Sequence, residues 1–131
     1  MRPYDEWIIR AKSALDISKF KVTENVFYAD LCAQAQQAVE KALKGLLIFY
    51  DVEPEYTHNI RRLVLEIRKH TEVDEYIEKT FDLTQYAHET RYPGDYPDVS
   101  EDEYKRVIEI ANKCIEWVEI KIFEGSLEGN K

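Results

Sequence analysis

The stretch Ala29–Asp51, ADLCAQAQQAVEKALKGLLIFYD, decides the fold class. It contains no proline and one glycine, Gly45, and it is the longest uninterrupted helical pattern in the chain. Ala35, Ala38, Val39, Ala42, Leu46 and Tyr50 recur at three- and four-residue spacing, which places them on one helix face. Most of these side chains are small, so a neighbouring helix can approach the backbone closely. Gln34, Gln37, Lys41 and Lys44 fall on the other faces and must find water or a hydrogen-bond partner. This pattern describes the central helix of a soluble bundle.

The flanking segments supply the other helices. Pro3 suits a first-turn position, and Tyr4, Trp7, Ile8, Ala11, Leu15 and Ser18 form an inner stripe for a helix ending near Phe20. Thr23 or Asn25 can cap the central helix. Pro54 breaks the chain after Asp51, and Thr57 caps a short helix predicted over Asn59–His70. Thr71-Glu72-Val73-Asp74 has the form of a capping box and predicts an α-helix whose inner stripe starts at Val73 and ends at Arg91, five whole turns later. Tyr92-Pro93-Gly94-Asp95-Tyr96-Pro97-Asp98 is a turn-rich segment. Ser100-Glu101-Asp102-Glu103 is a second capping box and opens the last helix, which is expected to end near Phe123. No strand pattern, internal repeat or low-complexity tract is present. The expected fold is all-α, an up-down four-helix bundle with an additional short connecting helix. It occupies residues 1–124 as a single domain, followed by a polar tail over 125–131.

Composition narrows the function classes. At 131 residues, with 44% hydrophobic and 34% charged side chains, the chain is a single charged-surfaced globular domain. It has no run of about 18 apolar residues and no apolar leader at Met1–Glu6, so membrane insertion is not expected and the location is read as cytoplasmic. Cys32 and Cys114 sit in apolar helical patterns and read as buried thiols outside any disulfide; without CxxC spacing they make no zinc site. The net charge of −8 is uneven. Between Glu72 and Glu103, eleven acidic residues face only Lys79 and Arg91, which leaves the rest of the chain close to neutral. That segment repels a phosphate backbone, so any RNA contact must be local.

Three segments resemble the HEPN family of small helical domains: Ala33–Leu47 with its Gln-Gln-Ala-x-Glu-Lys-Ala-x-Lys run, Thr57-His58-Asn59-Ile60, and Thr90-Arg91-Tyr92-Pro93-Gly94-Asp95. The resemblance covers about residues 4 to 120. It implies a helical bundle, usually a homodimer, commonly paired with a minimal nucleotidyltransferase in toxin–antitoxin-like modules. It implies no cofactor. Many such domains are metal-independent ribonucleases with an Arg-x4–6-His motif, the arginine steadying phosphate charge and the histidine transferring protons. Here the arginine corresponds to Arg91, but the permitted histidine positions hold Tyr96, Pro97 and Asp98.

The candidate catalytic residues are therefore Arg91 and, as a substitute, His88; the rival reading of both is structural, a salt bridge for Arg91 and a core or dimer-seam position for His88. Candidate ligand-binding residues are Arg91, Tyr92, Tyr96, Lys41 and Lys44, for a nucleotide or RNA. The tyrosines, with Tyr86 and Tyr104, can stack a base or simply pack; the lysines can meet phosphate or form a solvated face beside Glu40. His58 reads as part of a helix cap. The expected function is a dimeric interaction or nucleotide-binding module with a nucleotidyltransferase partner. The alternative is a ribonuclease toxin with an altered site.

Overall fold

In the computed structural model of the chain, the described residues are 2–20, 25–87 and 98–129. They form α1 (Pro3–Ser18), α2 (Tyr28–Phe49), α3 (Ile60–Ile67), a 3-10 helix (Glu75–Tyr86) and α4 (Glu101–Gly129), with no strand among them. The fold is all-α, as the periodicity requires.

Pair contacts fix the directions of the helices. Tyr4 meets Phe49 edge-on at 5.1 Å between ring centroids, and Trp7 and Ile8 lie against Gly45, so α1 and α2 are antiparallel. Lys12 pairs with Glu119 at 2.8 Å and Lys19 donates to Asn112 at 3.1 Å, which makes α1 antiparallel to α4. Lys121 donates to Thr71 at 3.3 Å, and Tyr86 donates its hydroxyl hydrogen to Glu103; the 3-10 helix is thus antiparallel to α4 as well. The four long elements run up-down-up-down, and α3 is the connector.

Helix α2 is the centre of this arrangement. Leu31, Ala35, Val39, Leu43 and Leu46 form one buried stripe, and Ala33, Gln36, Ala38 and Leu47, on other sides of the helix, are buried as well. Helices α1, α3, α4 and the 3-10 helix all pack against it. Of the expected stripe, Ala35, Ala38, Val39, Ala42 and Leu46 are buried, whereas Tyr50 is the C-cap just beyond the helix. The N-cap is Phe27, which offers no side-chain bond; Asn25 does not take that place, and Thr23 lies outside the described residues.

Local chemistry sets the other boundaries. Asn59, rather than Thr57, caps α3 by accepting from the Arg62 amide at 3.3 Å, while Thr57 accepts from the Asn59 amide at 3.0 Å. Ser100 accepts from the Glu103 amide at 3.1 Å, as its capping box requires. Helix α4 does not stop near Phe123 but continues to Gly129. Gly125 leaves room there: a Cβ at that position would stand 2.6 Å from the Phe49 ring.

The largest departure from expectation lies between α3 and α4. Thr71–Asp74 does not open an α-helix; Asp74 instead accepts from the Tyr76 amide at 2.8 Å and starts the 3-10 helix. Ile77, Thr80, Leu83 and Tyr86 are its buried residues, spaced by three. That spacing suits 3.0 residues per turn. The count of five whole α-turns from Val73 to Arg91 therefore does not hold, and Arg91 itself lies outside the described residues.

Candidate functional site

Of the sequence candidates, Lys41 and Lys44 are on α2; His88, Arg91, Tyr92 and Tyr96 lie outside the described residues. Lys41 is half-buried. Lys44 is buried, not part of a solvated face, and its Nζ lies 2.8 Å from Glu40 Oε1.

A polar network surrounds that pair. Gln36 Nε2 donates to Glu40 Oε2 at 2.8 Å, and Gln37 Nε2 donates to Gln36 Oε1 at 3.1 Å. His58 Nδ1 lies 3.1 and 3.0 Å from the two carboxylate oxygens. Burial raises the Glu40 carboxyl's pKa, but the hydrogen bonds from Lys44, His58 and Gln36, with the Lys44 charge, outweigh it, and the net shift is downward. The group is thus ionised at neutral pH, so the His58 nitrogen facing it carries the hydrogen. His58 does not cap α3; it fastens the loop after α2 to the middle of that helix. A second clamp acts on the same loop, where Arg62 Nε donates to Glu55 at 3.0 Å.

Between these two fastenings stands Tyr56, 96% exposed. Its ring centroid is 5.8 Å from Lys44 Nζ, and the Trp7 ring is 6.0 Å from the same nitrogen. Two aromatic faces thus flank a cation whose charge is already matched by Glu40. This surface can take a flat or apolar group against the rings, and Lys41 one turn away adds a positive charge. Tyr56, Trp7, His58 and Glu40 were absent from the sequence-derived site. The line Gln36–Glu40–Lys44, at successive four-residue steps, was the available signal for the network.

Elsewhere, a shallow acidic depression is lined by Asp74, Glu75, Glu78 and Asp82 around Tyr76 and Lys79. No group of three or more His, Cys, Asp or Glu able to hold a metal occurs among the described residues. No helix there is long and apolar enough to cross a membrane.

Comparison with known proteins accords with this architecture. The crystal structure of TT1696 from Thermus thermophilus aligns with a TM-score of 0.78 at 27% identity, covering 92% of this chain and 99% of that one. ST0689, described as an archaeal HEPN homologue, aligns with a TM-score of 0.72 at 26% identity, covering 93% and 99%. The search of curated proteins returned no match. The HEPN domain model matches residues 4–121. With nearly the whole helical bundle inside that match, the chain belongs to the HEPN domain family.

Proposed function

We propose that this HEPN protein is a cytoplasmic interaction module without chemistry of its own, acting as a homodimer and pairing with a small nucleotidyltransferase in a toxin–antitoxin-like system. The observation that supports this reading is the surface: Phe20, Phe27, Tyr56, Ile120, Phe123 and Leu127 are all exposed on an otherwise charged molecule. The absence of histidine at positions 96–98 weighs against the ribonuclease alternative. Sedimentation of the purified chain at micromolar concentration should show a dimer, and a strict monomer would overturn that part. Incubation with RNA and a chelator should give no cleavage; cleavage abolished by Arg91→Ala would restore the nuclease reading. The partner is sought in the product of an adjacent gene: co-purification with a small nucleotidyltransferase is the expected result.

A second reading, nucleotide binding, is favoured by the rings of Trp7 and Tyr56 beside Lys44. A base would stack on Tyr56 while phosphate meets Lys41. Calorimetry with ATP and GTP tests it, and Tyr56→Ala should weaken binding about five-fold or more, the range for a lost base–aromatic stack. Because Tyr56 is almost fully exposed, that substitution leaves the bundle intact.

A further inference from the structure

Helix α4 changes character along its outward face. Its inner face is Val107, Ala111, Cys114 and Val118, all buried. On the opposite side the first four turns are charged and exposed, with Lys105 paired to Glu101 at 3.3 Å and Lys113 to Glu109 at 3.1 Å. Beyond Glu116 the same line becomes apolar: Ile120, Phe123 and Leu127 are 54%, 64% and 56% exposed. Their spacing of three and four residues keeps them on one stripe, about 10 Å long at the helical rise. Single exposed apolar residues need no explanation. Three in register, directly opposite the core and continuing a charged line, form a patch. Helix α1 borders it: Lys12–Glu119 joins the helices at this level, and the exposed Ile9 is one turn from Lys12.

The charges around the stripe indicate what covers it. Glu116, Glu119, Glu124 and Glu128 rim it. Of the cations nearby, Lys12 is matched to Glu119 and Lys121 is directed at Thr71. Among the described residues, the last turn of α4 contains no basic residue to offset its negative dipole end. A second copy of the chain would bring the same four glutamates to the seam, a like-charge juxtaposition that disfavours self-pairing.

We infer that the C-terminal turns of α4 are the docking face for a basic amphipathic helix of a partner protein. Its apolar side chains meet Ile120, Phe123 and Leu127, and its lysines or arginines meet the four glutamates. The inference rests on the reading of this chain as an interaction module and names the chemistry of the partner.

The test uses the full chain and a synthetic helical peptide of about twenty residues, with leucines on one face and lysines elsewhere. Two controls accompany it: the same peptide with glutamate for lysine, and a scrambled peptide that keeps composition but has no apolar face. Trp117, half-buried beside the stripe, reports binding by fluorescence. The basic peptide should bind, and Phe123→Ser should weaken it roughly ten-fold or more, as for an anchor residue. Leu65→Ser, at an exposed apolar position on α3, should leave binding unchanged. Glu124→Gln with Glu128→Gln should weaken it and flatten its salt dependence. Equal binding by Phe123→Ser, or by the scrambled peptide, overturns the inference. So does sedimentation in which Phe123→Ser turns a dimer of this chain into monomer, since a second copy would then own the face. Each of these results leaves the interaction-module reading standing, because dimerisation and nucleotidyltransferase capture are measured separately.

Discussion

Asp51 has φ of 62°, a left-handed conformation that L side chains adopt at a cost. It ends α2 in a Schellman arrangement, with the Val52 amide donating to the Leu47 carbonyl at 2.9 Å. Asp51→Gly should stabilise the protein by about 0.5–1 kcal/mol, measured by urea unfolding, because glycine meets no Cβ penalty there. Glu40 is the opposite case. Glu40→Gln leaves Lys44 buried without its countercharge and should cost about 3 kcal/mol at neutral pH. The pH dependence follows from the direction of the shift. The folded-state pKa is below the ordinary 4.5, so the stabilisation is present above that value and lost as pH falls through the folded one. Unfolding curves of the parent and Glu40→Gln should therefore converge on acidification below about 4.5; a constant gap would remove Glu40 ionisation as the cause.

At the scale of elements, the α1–α2 contact depends on Gly45. A Cβ there would stand 3.0 Å from Trp7 Cβ and from Ile8 Cδ1. Alanine improves helix propensity by about 1 kcal/mol, yet overpacking against a main-chain-proximal atom costs about 1–3 kcal/mol. Gly45→Ala should therefore lower Tm, and a rise in Tm would mean that α1 shifts to accommodate it. The major helices were legible because their cues are local: Pro3 starts α1, Ser100 with Glu103 opens α4, and small residues at helical spacing mark α2. The 3-10 helix was not. Val73, Ile77, Thr80 and Thr84 fit a 3.6-residue repeat well enough to hide the buried set Ile77, Thr80, Leu83 and Tyr86, whose strict spacing of three is the true signal. At the candidate site, Lys44 was visible as a residue but not as a buried one. Its state depends on His58, eighteen positions from Glu40, a contact that only the fold creates.

For the whole molecule, the two cysteines measure global integrity. Cys32 and Cys114 are thiols rather than a disulfide, and both are fully buried in the core shared by α2 and α4. Burial pushes the Cys114 thiol up to about 12, so neither geometry nor ionisation favours attack. A thiol reagent at pH about 8 should find no rapidly reacting cysteine in the native protein and two in denaturant. Fast native labelling of one thiol would show that α4 separates from α2 without full unfolding.

The 3-10 leg of the bundle also has a kinetic consequence. A 3-10 helix has poorer hydrogen-bond geometry than an α-helix, and the segment Glu75–Tyr86 contributes only Ile77, Thr80, Leu83 and Tyr86 to the interior. Helix α2, by contrast, is enclosed by its neighbours. In native-state amide hydrogen exchange, Glu75–Tyr86 should open as a sub-global unit of low free energy, its amides exchanging well before those of Ala35–Leu46, which await complete unfolding. The up-down bundle would then loosen first at one leg, while α1, α2 and α4 hold the protected core.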